Sequence, residues 1–321
     1  MQNFWSELPK PFFVLAPLED VTDAAFRRHI ARHGKPHVFY TEFTSADGLL
    51  LANEHGQKQL RSKLLFSEIE RPIVAQLFTA VPAHMEAAAK IVEELGFDGL
   101  DINMGCPDRA IEKGGCGAAM IQTPQLAREI IRAAKSGFDG PVSVKTRLGY
   151  NIDELETWIP ELLSEHPAAL ALHARTRKEL SDVPARWERI ARAVALRDEY
   201  SPQTRLIGNG DVTDLNDARA KVAATNCDGV MLGRAIFGNP WLFADRKDPP
   251  TPQERIESLI QHIKLFDELL GEVSNFATMK KHFKAYISGW DGAKDLRIQL
   301  METNSATEAL KVLNGIGQVS K

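Results

Sequence analysis

Cys106 stands where a side chain can meet a ligand. It lies in Asp101-Ile102-Asn103-Met104-Gly105-Cys106-Pro107, just past an apolar run and on a turn flanked by Gly and Pro. That setting places its sulfur at a strand end, so this cysteine is a candidate for chemistry. Cys116, in Lys113-Gly114-Gly115-Cys116-Gly117, enters the next helix through a Gly-rich loop and reads as an inert small hydrophobe. Cys227, in an Asn-Cys-Asp-Gly turn, reads as structural. A second group is Gly208-Asn209-Gly210-Asp211 and Gly233-Arg234-Ala235. Glycines there let backbone N–H groups approach a phosphate, and Arg234 can add a charge-assisted contact, as at the phosphate of a flavin. Lys145 and His173 also close apolar runs, and a lysine beside a flavin ring can stabilise the negative charge of its reduced form. Gln76 offers both a donor and an acceptor to such a ring's pyrimidine edge.

The elements that must carry these residues recur along the first three-quarters of the chain. Short apolar runs cover Phe13–Ala16, Val38–Phe43, Ile73–Leu77, Gly99–Met104, Val142–Thr146, Ala169–His173, Arg205–Gly208 and Gly229–Leu232. Their starts lie roughly 20 to 40 residues apart, room for a strand, a helix and two loops. Most are continuously apolar, as strands buried on both faces of a parallel sheet are. Helical patterns separate them at Pro82–Leu95, Thr123–Ala134, Arg186–Leu196 and Asp214–Ala224. Eight such units predict an α/β fold, a closed (β/α)8 TIM barrel, with an open doubly wound sheet as the alternative. Nearly every run ends in a polar or Gly-rich cluster, and in a barrel all those ends meet at one mouth.

After Phe243 the pattern changes. The charged, Pro-rich segment Asp245–Pro252 reads as a break, and no strand-like run follows it. Residues 1–245 are therefore expected to form the barrel, and residues 251–321 a small all-helical domain. Its helices are expected from the apolar spacing of Ile256–Phe266 and over Asn275–Ser288, Ala293–Met301 and Ser305–Leu313.

Composition sets outer bounds. The chain has 321 residues and a net charge of −4, which argues against a protein that coats nucleic acid without specificity. No window approaches the ~20 apolar residues of a membrane span, and the first residues lack the order of a signal peptide. Three cysteines are too few and too irregular for a disulfide framework or zinc site. A cytoplasmic enzyme without a bound metal, a membrane or an evident obligate protein partner is the expectation.

The motifs APLEDVTDAAFR, DGLDINMGCP with KGGCGAAM, VSVKTRLGY, LHARTR, IGNGDV, DGVMLGRAIFGNPWLF and MKKHFKAYISGWDGAKDLR occur in this order. Together they resemble the tRNA-dihydrouridine synthase family from about Phe13 to about Leu310. The resemblance implies an FMN enzyme that reduces uridines of the tRNA D-loop region to 5,6-dihydrouridine with NADPH (or NADH) as reductant. It implies FMN contacts from Pro17, Leu18 and Glu19, then Gln76, Lys145 and His173 around the ring. Asn209, Gly210, Asp211, Gly233 and Arg234 follow toward the phosphate. Cys106 matches the family's proton donor, with hydride going to uracil carbon 6 and the proton to carbon 5; Asn103 and Arg175 should lie near the nucleotide. Leu18 stands where Met is most often found, Asp20 and Ala174 where Gly is usual, and Cys116 where Ala or another residue is usual.

The tail adds Lys280, Lys281, Lys284, Lys294 and Arg297, with Tyr286 and Trp290 interleaved. Cations with aromatics on one helical element suit phosphate contacts and base stacking. Arg27, Arg28, Arg32 and Lys35 could extend a basic surface from the first barrel helix. The rival readings are a flavin barrel acting on a free pyrimidine, similar to dihydroorotate dehydrogenases, and a tRNA-binding paralogue without catalysis.

Overall fold

The computed structural model describes residues 3–316. Its strands are β1 (Phe12–Leu15), β2 (Phe39–Tyr40), β3 (Thr44–Ser45), β4 (Ile73–Phe78), β5 (Gly99–Met104), β6 (Val142–Arg147), β7 (Ala169–His173), β8 (Arg205–Asn209) and β9 (Gly229–Leu232). They form one parallel sheet in the order β1-β9-β8-β7-β6-β5-β4-β2, with β3 also beside β4. The ring closes between β1 and the entry to β2. There Leu15 N donates to Val38 O at 3.2 Å and His37 N to Phe13 O at 2.9 Å. This is the expected (β/α)8-type barrel, nearly closed.

The second predicted strand, Val38–Phe43, is interrupted. Tyr40 pairs with Val74 but Thr44 with Leu77, so β2–β3 carries one residue more than β4 over this stretch, which is a bulge. Thr41 repairs the ladder: its N–H donates to Val74 O and its Oγ1 accepts from Gln76 N, both at 3.0 Å. A hydroxyl thus replaces a strand carbonyl beside a residue that faces the mouth.

Alternation along the strands builds the interior. Val14, Val38, Tyr40, Val74, Ala171, Ile207 and Met231 form an apolar cluster with Trp5, which lies in the short turn Phe4–Ser6 and is fully buried. Two residues further along, Val74 gives way to Gln76, Ala171 to His173 and Ile207 to Asn209, while β5 and β6 are polar at both levels, Asp101 then Asn103 and Ser143 then Lys145. The barrel therefore has an apolar floor and a polar ceiling.

Around it lie α1 (Ala24–His33), α2 (Ala46–Leu51), α3 (Glu54–Lys63), α4 (Pro82–Glu94), α5 (Arg109–Lys113), α6 (Pro124–Gly137), α7 (Leu155–Leu163), α8 (Trp187–Tyr200) and α9 (Leu215–Thr225). Their starts carry local signals. Asp23 and Asp214 accept from Phe26 N and Asp217 N, and proline opens α4 and α6. Their apolar stripes join the outer core, as when Ala127, Ile130, Ile131 and Ala134 of α6 are buried beside α4.

Beyond the Pro-rich break come α10 (Pro252–Leu270), α11 (Met279–Tyr286), α12 (Ala293–Glu302) and α13 (Ala306–Ile316). A capping box between Thr251 and Glu254 starts α10, and among the described residues no strand follows β9. Helix α10 packs on α1 through a cluster of rings. Phe26 stacks on His262 with centroids 4.8 Å apart, His262 meets His282 at 4.6 Å, and His29 Nε2 lies 2.7 Å from Ser258 Oγ. Burial holds His29 and His282 near pKa 3 and His262 well below its ordinary range, so these rings are neutral. No helix among the described residues is long and apolar enough to cross a membrane.

Candidate active site

The C-terminal ends of the strands surround a cavity of about 710 Å³. Its lining includes Pro17, Leu18, Glu19, Gln76, Asn103, Cys106, Lys145, His173, Arg175, Asn209, Gly210, Asp211, Gly233 and Arg234. These residues span most of the barrel in sequence yet face one space, of a size usual for a cofactor or substrate pocket.

Asn103 builds the turn that presents Cys106. Its Oδ1 accepts from Gly105 N at 3.1 Å and Cys106 N at 2.9 Å. On the far side Arg147 Nε donates to Gly105 O at 2.7 Å, and Ala118 N donates to Cys106 O at 2.9 Å. That last bond explains a glycine of the KGGCG loop: Gly117 has φ +60°, and a Cβ there would lie 2.7 Å from Cys106 O. Burial pushes the Cys106 thiol up, more than the nearby Lys145 and Arg147 cations draw it down, which favours the protonated form. Cys116 is buried outside this cavity, with its thiol pushed up to about 11, and Cys227 is buried as well.

The polar ceiling is densely charged. Asp101 is fully buried beneath it, raised to about 7 by burial against hydrogen bonds from Ser143 Oγ at 2.6 Å and Gln76 Nε2 at 2.7 Å. Lys145 is lowered to about 8, first by burial and then by Arg147, while Asp101 pulls the other way. Burial, then Arg147 and Lys145, hold His173 well below its ordinary range. Arg175 Nη1 lies 3.1 Å from His173 Nε2. A guanidinium can only donate, so Nε2 accepts and the ring proton sits on Nδ1.

At the β8–β9 side, Gly210 has φ +126°, and a Cβ there would meet Ala185 Cβ at 2.8 Å. The next residue, Asp211, accepts from Arg234 Nη2 at 2.5 Å, from Ala185 N at 2.9 Å and from Arg175 Nη2. The Arg175 bond chiefly holds its carboxyl below the usual range. Asp211 therefore anchors two arginines at the rim, while Arg234 stays 65% exposed.

Sequence reasoning missed Asp101 and Arg147 as site residues. Strand alternation could have found both, because Asp101 precedes Asn103 and Arg147 follows Lys145 by two. It also missed Glu42, which is buried at the lip and raised to about 8 by burial and by repulsion from Asp23. Glu42 Oε1 accepts from Asp20 N at 2.6 Å. The substitution at position 20 has a geometric reading too: Asp20 has φ 54°, the region that favours glycine, and its carboxylate binds Lys281 Nζ at 2.8 Å.

None of the tail residues lines this cavity, although Lys281 reaches its edge through Asp20, next to Glu19. Lys281, Lys284 and Lys294 are exposed, and Lys280 and Arg297 are half-buried. A shallow groove between α11 and α12 has Lys280, Lys281, Lys284 and Arg297 on its walls and half-exposed Ile298 and Met301. Tyr286 corrects the sequence reading. It is fully buried against His262 and cannot stack on a base, because its helix turns that face toward α10. Arg27 is a second correction: it is buried, bonded to Glu70 Oε2 at 2.9 Å and to Thr22 O at 2.8 Å, and adds nothing to a basic surface.

The family described as dihydrouridine synthase (Dus) matches residues 14–319. A probable tRNA-dihydrouridine synthase of Staphylococcus aureus (strain COL) is 42% identical over 315 residues, 98% of this chain and 95% of that protein. Probable tRNA-dihydrouridine synthase 2 of Bacillus subtilis (strain 168) is 42% identical, covering 98% of this chain and 96% of that one. Among solved structures, morphinone reductase superposes with a TM-score of 0.53 at 16% identity, over 78% of this chain and 90% of its own. Histamine dehydrogenase from Rhizobium sp. 4-9 gives 0.51 at 14% identity, over 79% of this chain and 48% of its own. The last two are likenesses of fold.

Proposed function

This chain belongs to the dihydrouridine synthase family, and from that premise we propose that it reduces particular uridines of tRNA to 5,6-dihydrouridine, with FMN as cofactor and NADPH or NADH as reductant. One observation carries the reading. A thiol that its surroundings keep protonated, Cys106, lines the same cavity as a cationic, polar strand-end set around Gln76, Lys145 and His173.

The cavity suits FMN. Among the described residues the Lys145 ammonium has no hydrogen bond or ion pair, and Arg234, though bonded to Asp211, is largely exposed, so both cations are available to an anionic ligand. Gln76, Lys145 and His173 would surround the ring, with Pro17, Leu18 and Glu19 at the first strand end. Asn209, Gly210, Gly233 and Arg234 would lie toward the phosphate, with Asp211 holding Arg234. When bound, FMN supplies the hydride that uracil receives at carbon 6.

The chain's own residues do the rest. Negative charge then develops on the uracil, and the Cys106 thiol delivers its proton to carbon 5, leaving a thiolate that takes a proton back from solvent. That role needs a thiol, and burial in place of a flanking base supplies it. Asn103, fixed by two backbone N–H groups, would hold the base, with Arg175 nearby. The target must leave its stack, at a cost of a few kcal/mol that a loop nucleotide pays least. Lys280, Lys281, Lys284, Lys294 and Arg297 would meet the tRNA backbone. Residues 1–245 would thus do the chemistry and residues 251–321 the docking, in the cytoplasm, where thiols stay reduced.

Purified protein, NADPH and an unmodified tRNA transcript test this directly. Mass spectrometry should find uridines that have gained two hydrogens. A flavin-loaded protein that reduces free pyrimidines and leaves tRNA untouched would overturn the reading.

A further inference from the structure

The hydrogen bonds behind Cys106 run in one direction. Gly105 N and Cys106 N both donate to Asn103 Oδ1, so its Nδ2 must be the donor toward Gln76 Oε1, at 3.1 Å. Gln76 therefore turns its own Nε2 to Asp101 Oδ2, at 2.7 Å. Ser143 Oγ donates to the other oxygen, Oδ1, at 2.6 Å, which settles which oxygen meets Gln76. Backbone N–H groups cannot reverse, so every amide in the line is oriented and the line must end on an acceptor. Asp101, Gln76 and Asn103 are all buried, where a mismatched donor is costly.

On the reading of Cys106 as proton donor, we propose that Asp101 is a positioning residue that, through Gln76 and Asn103, locks the backbone turn carrying that thiol. What the line needs at position 101 is an accepting oxygen. A carboxylate supplies it, and so does an asparagine amide, whose nitrogen can donate to Ser143 once that hydroxyl rotates. Leucine supplies nothing. Gln76 Nε2 would then be a stranded donor, free to swing from its place, and Asn103 would lose its grip on the turn. The same amide of Gln76 lines the cavity, so one carboxylate would set both the thiol turn and the edge offered to a ligand.

Hydrogen exchange of the Gly105 and Cys106 amides, read by NMR on the purified protein, tests this without measuring turnover. In Asp101→Leu both amides should exchange roughly tenfold faster, while amides of β7 and β8 stay within about twofold of the parent. In Asp101→Asn all should match the parent. The proposal is overturned if Asp101→Leu leaves the two amides protected or speeds the whole barrel equally. It is also overturned if Asp101→Asn loosens them as much, since charge and not acceptance would then be the requirement. If Asp101→Leu does not fold, Gln76→Leu breaks the same line one link nearer the turn and is read identically. A Cys106→Ala protein that still makes dihydrouridine would remove the proton-donor reading and leave the exchange result standing, so the two failures are separable.

Discussion

Replacing His282 with leucine should make the protein more resistant to acid. His282 is fully buried among Phe26 and His262, beside Phe237, and neither ring nitrogen has a hydrogen-bond partner. Burial, with a smaller push from Lys281, lowers its pKa from 6.5 to about 3. The sign follows from proton counting. Between these values the unfolded chain binds a proton that the folded one refuses, so stability is full above the ordinary pKa and is lost as pH falls below it. At pH 5.5, one unit below the ordinary value, the unfolded chain gains roughly tenfold in the equilibrium, or roughly 1–2 kcal/mol. At pH 7.5 the effect is close to nil. The leucine variant lacks this proton, and its change in packing is the same at both pH values. Glu42 and Asp101, with raised pKa values, respond in the opposite sense but are common to both proteins and cancel. Urea unfolding followed by circular dichroism at pH 7.5 and 5.5 measures the comparison. The stability gap should move in the variant's favour by roughly 1–2 kcal/mol at the lower pH. An unchanged gap would mean that His282 is not held neutral, and the account of the ring cluster would fall.

Cys106→Ala should still bind tRNA and oxidise NADPH slowly while forming little dihydrouridine; near-normal product by mass spectrometry would remove the proton-donor role. Reduction under single-turnover conditions should slow as pH rises through about 8, where Lys145 loses its charge, and Lys145→Arg should move that fall to higher pH. Changing Lys281 and Lys284 to Gln should weaken tRNA binding and lower its salt slope by about one per lysine, measured by filter binding across a salt series. Trp5→Ala should cost about 3–5 kcal/mol in urea unfolding, because it hollows out the barrel floor, where the ring packs on Phe12 and Tyr40.

Strands and their ends were the most readable part of the chain. Gly99–Met104, Ala169–His173 and Gly229–Leu232 appear with the predicted boundaries; Ala169–Leu172 and Gly229–Leu232 show the unbroken signature of a strand buried on both faces, which Asp101 and Asn103 interrupt in the first. The strand-end residues followed from topology, since a parallel barrel sends every C-terminal end to one side. Contacts between distant segments were not readable. Tyr286 sits among lysines in sequence and under histidines in space, and no local pattern tells which side of a short helix meets its neighbour. The ring cluster escaped notice because Phe26, His29, His262 and His282 come from three helices. Thr41 looked like part of a strand end, and only the ladder shows its hydroxyl standing in for a carbonyl.

The junction between β1 and β2 is the barrel's lightest fastening. Two backbone bonds about the Val14–Val38 bridge, with Phe13 N also donating to His37 Nδ1 at 3.1 Å, hold edges that elsewhere are joined by longer ladders. A hoop under load parts at its clasp, and fraying there breaks the fewest bonds. The loops on either side, around Leu18 and Phe43, are part of the rim of the cavity. Helix α1 connects the two edges in sequence, and α10 packs on it, so the C-terminal helices back the segment that joins them. Loosening that backing would let the mouth gape on one side while the remaining staves keep their register.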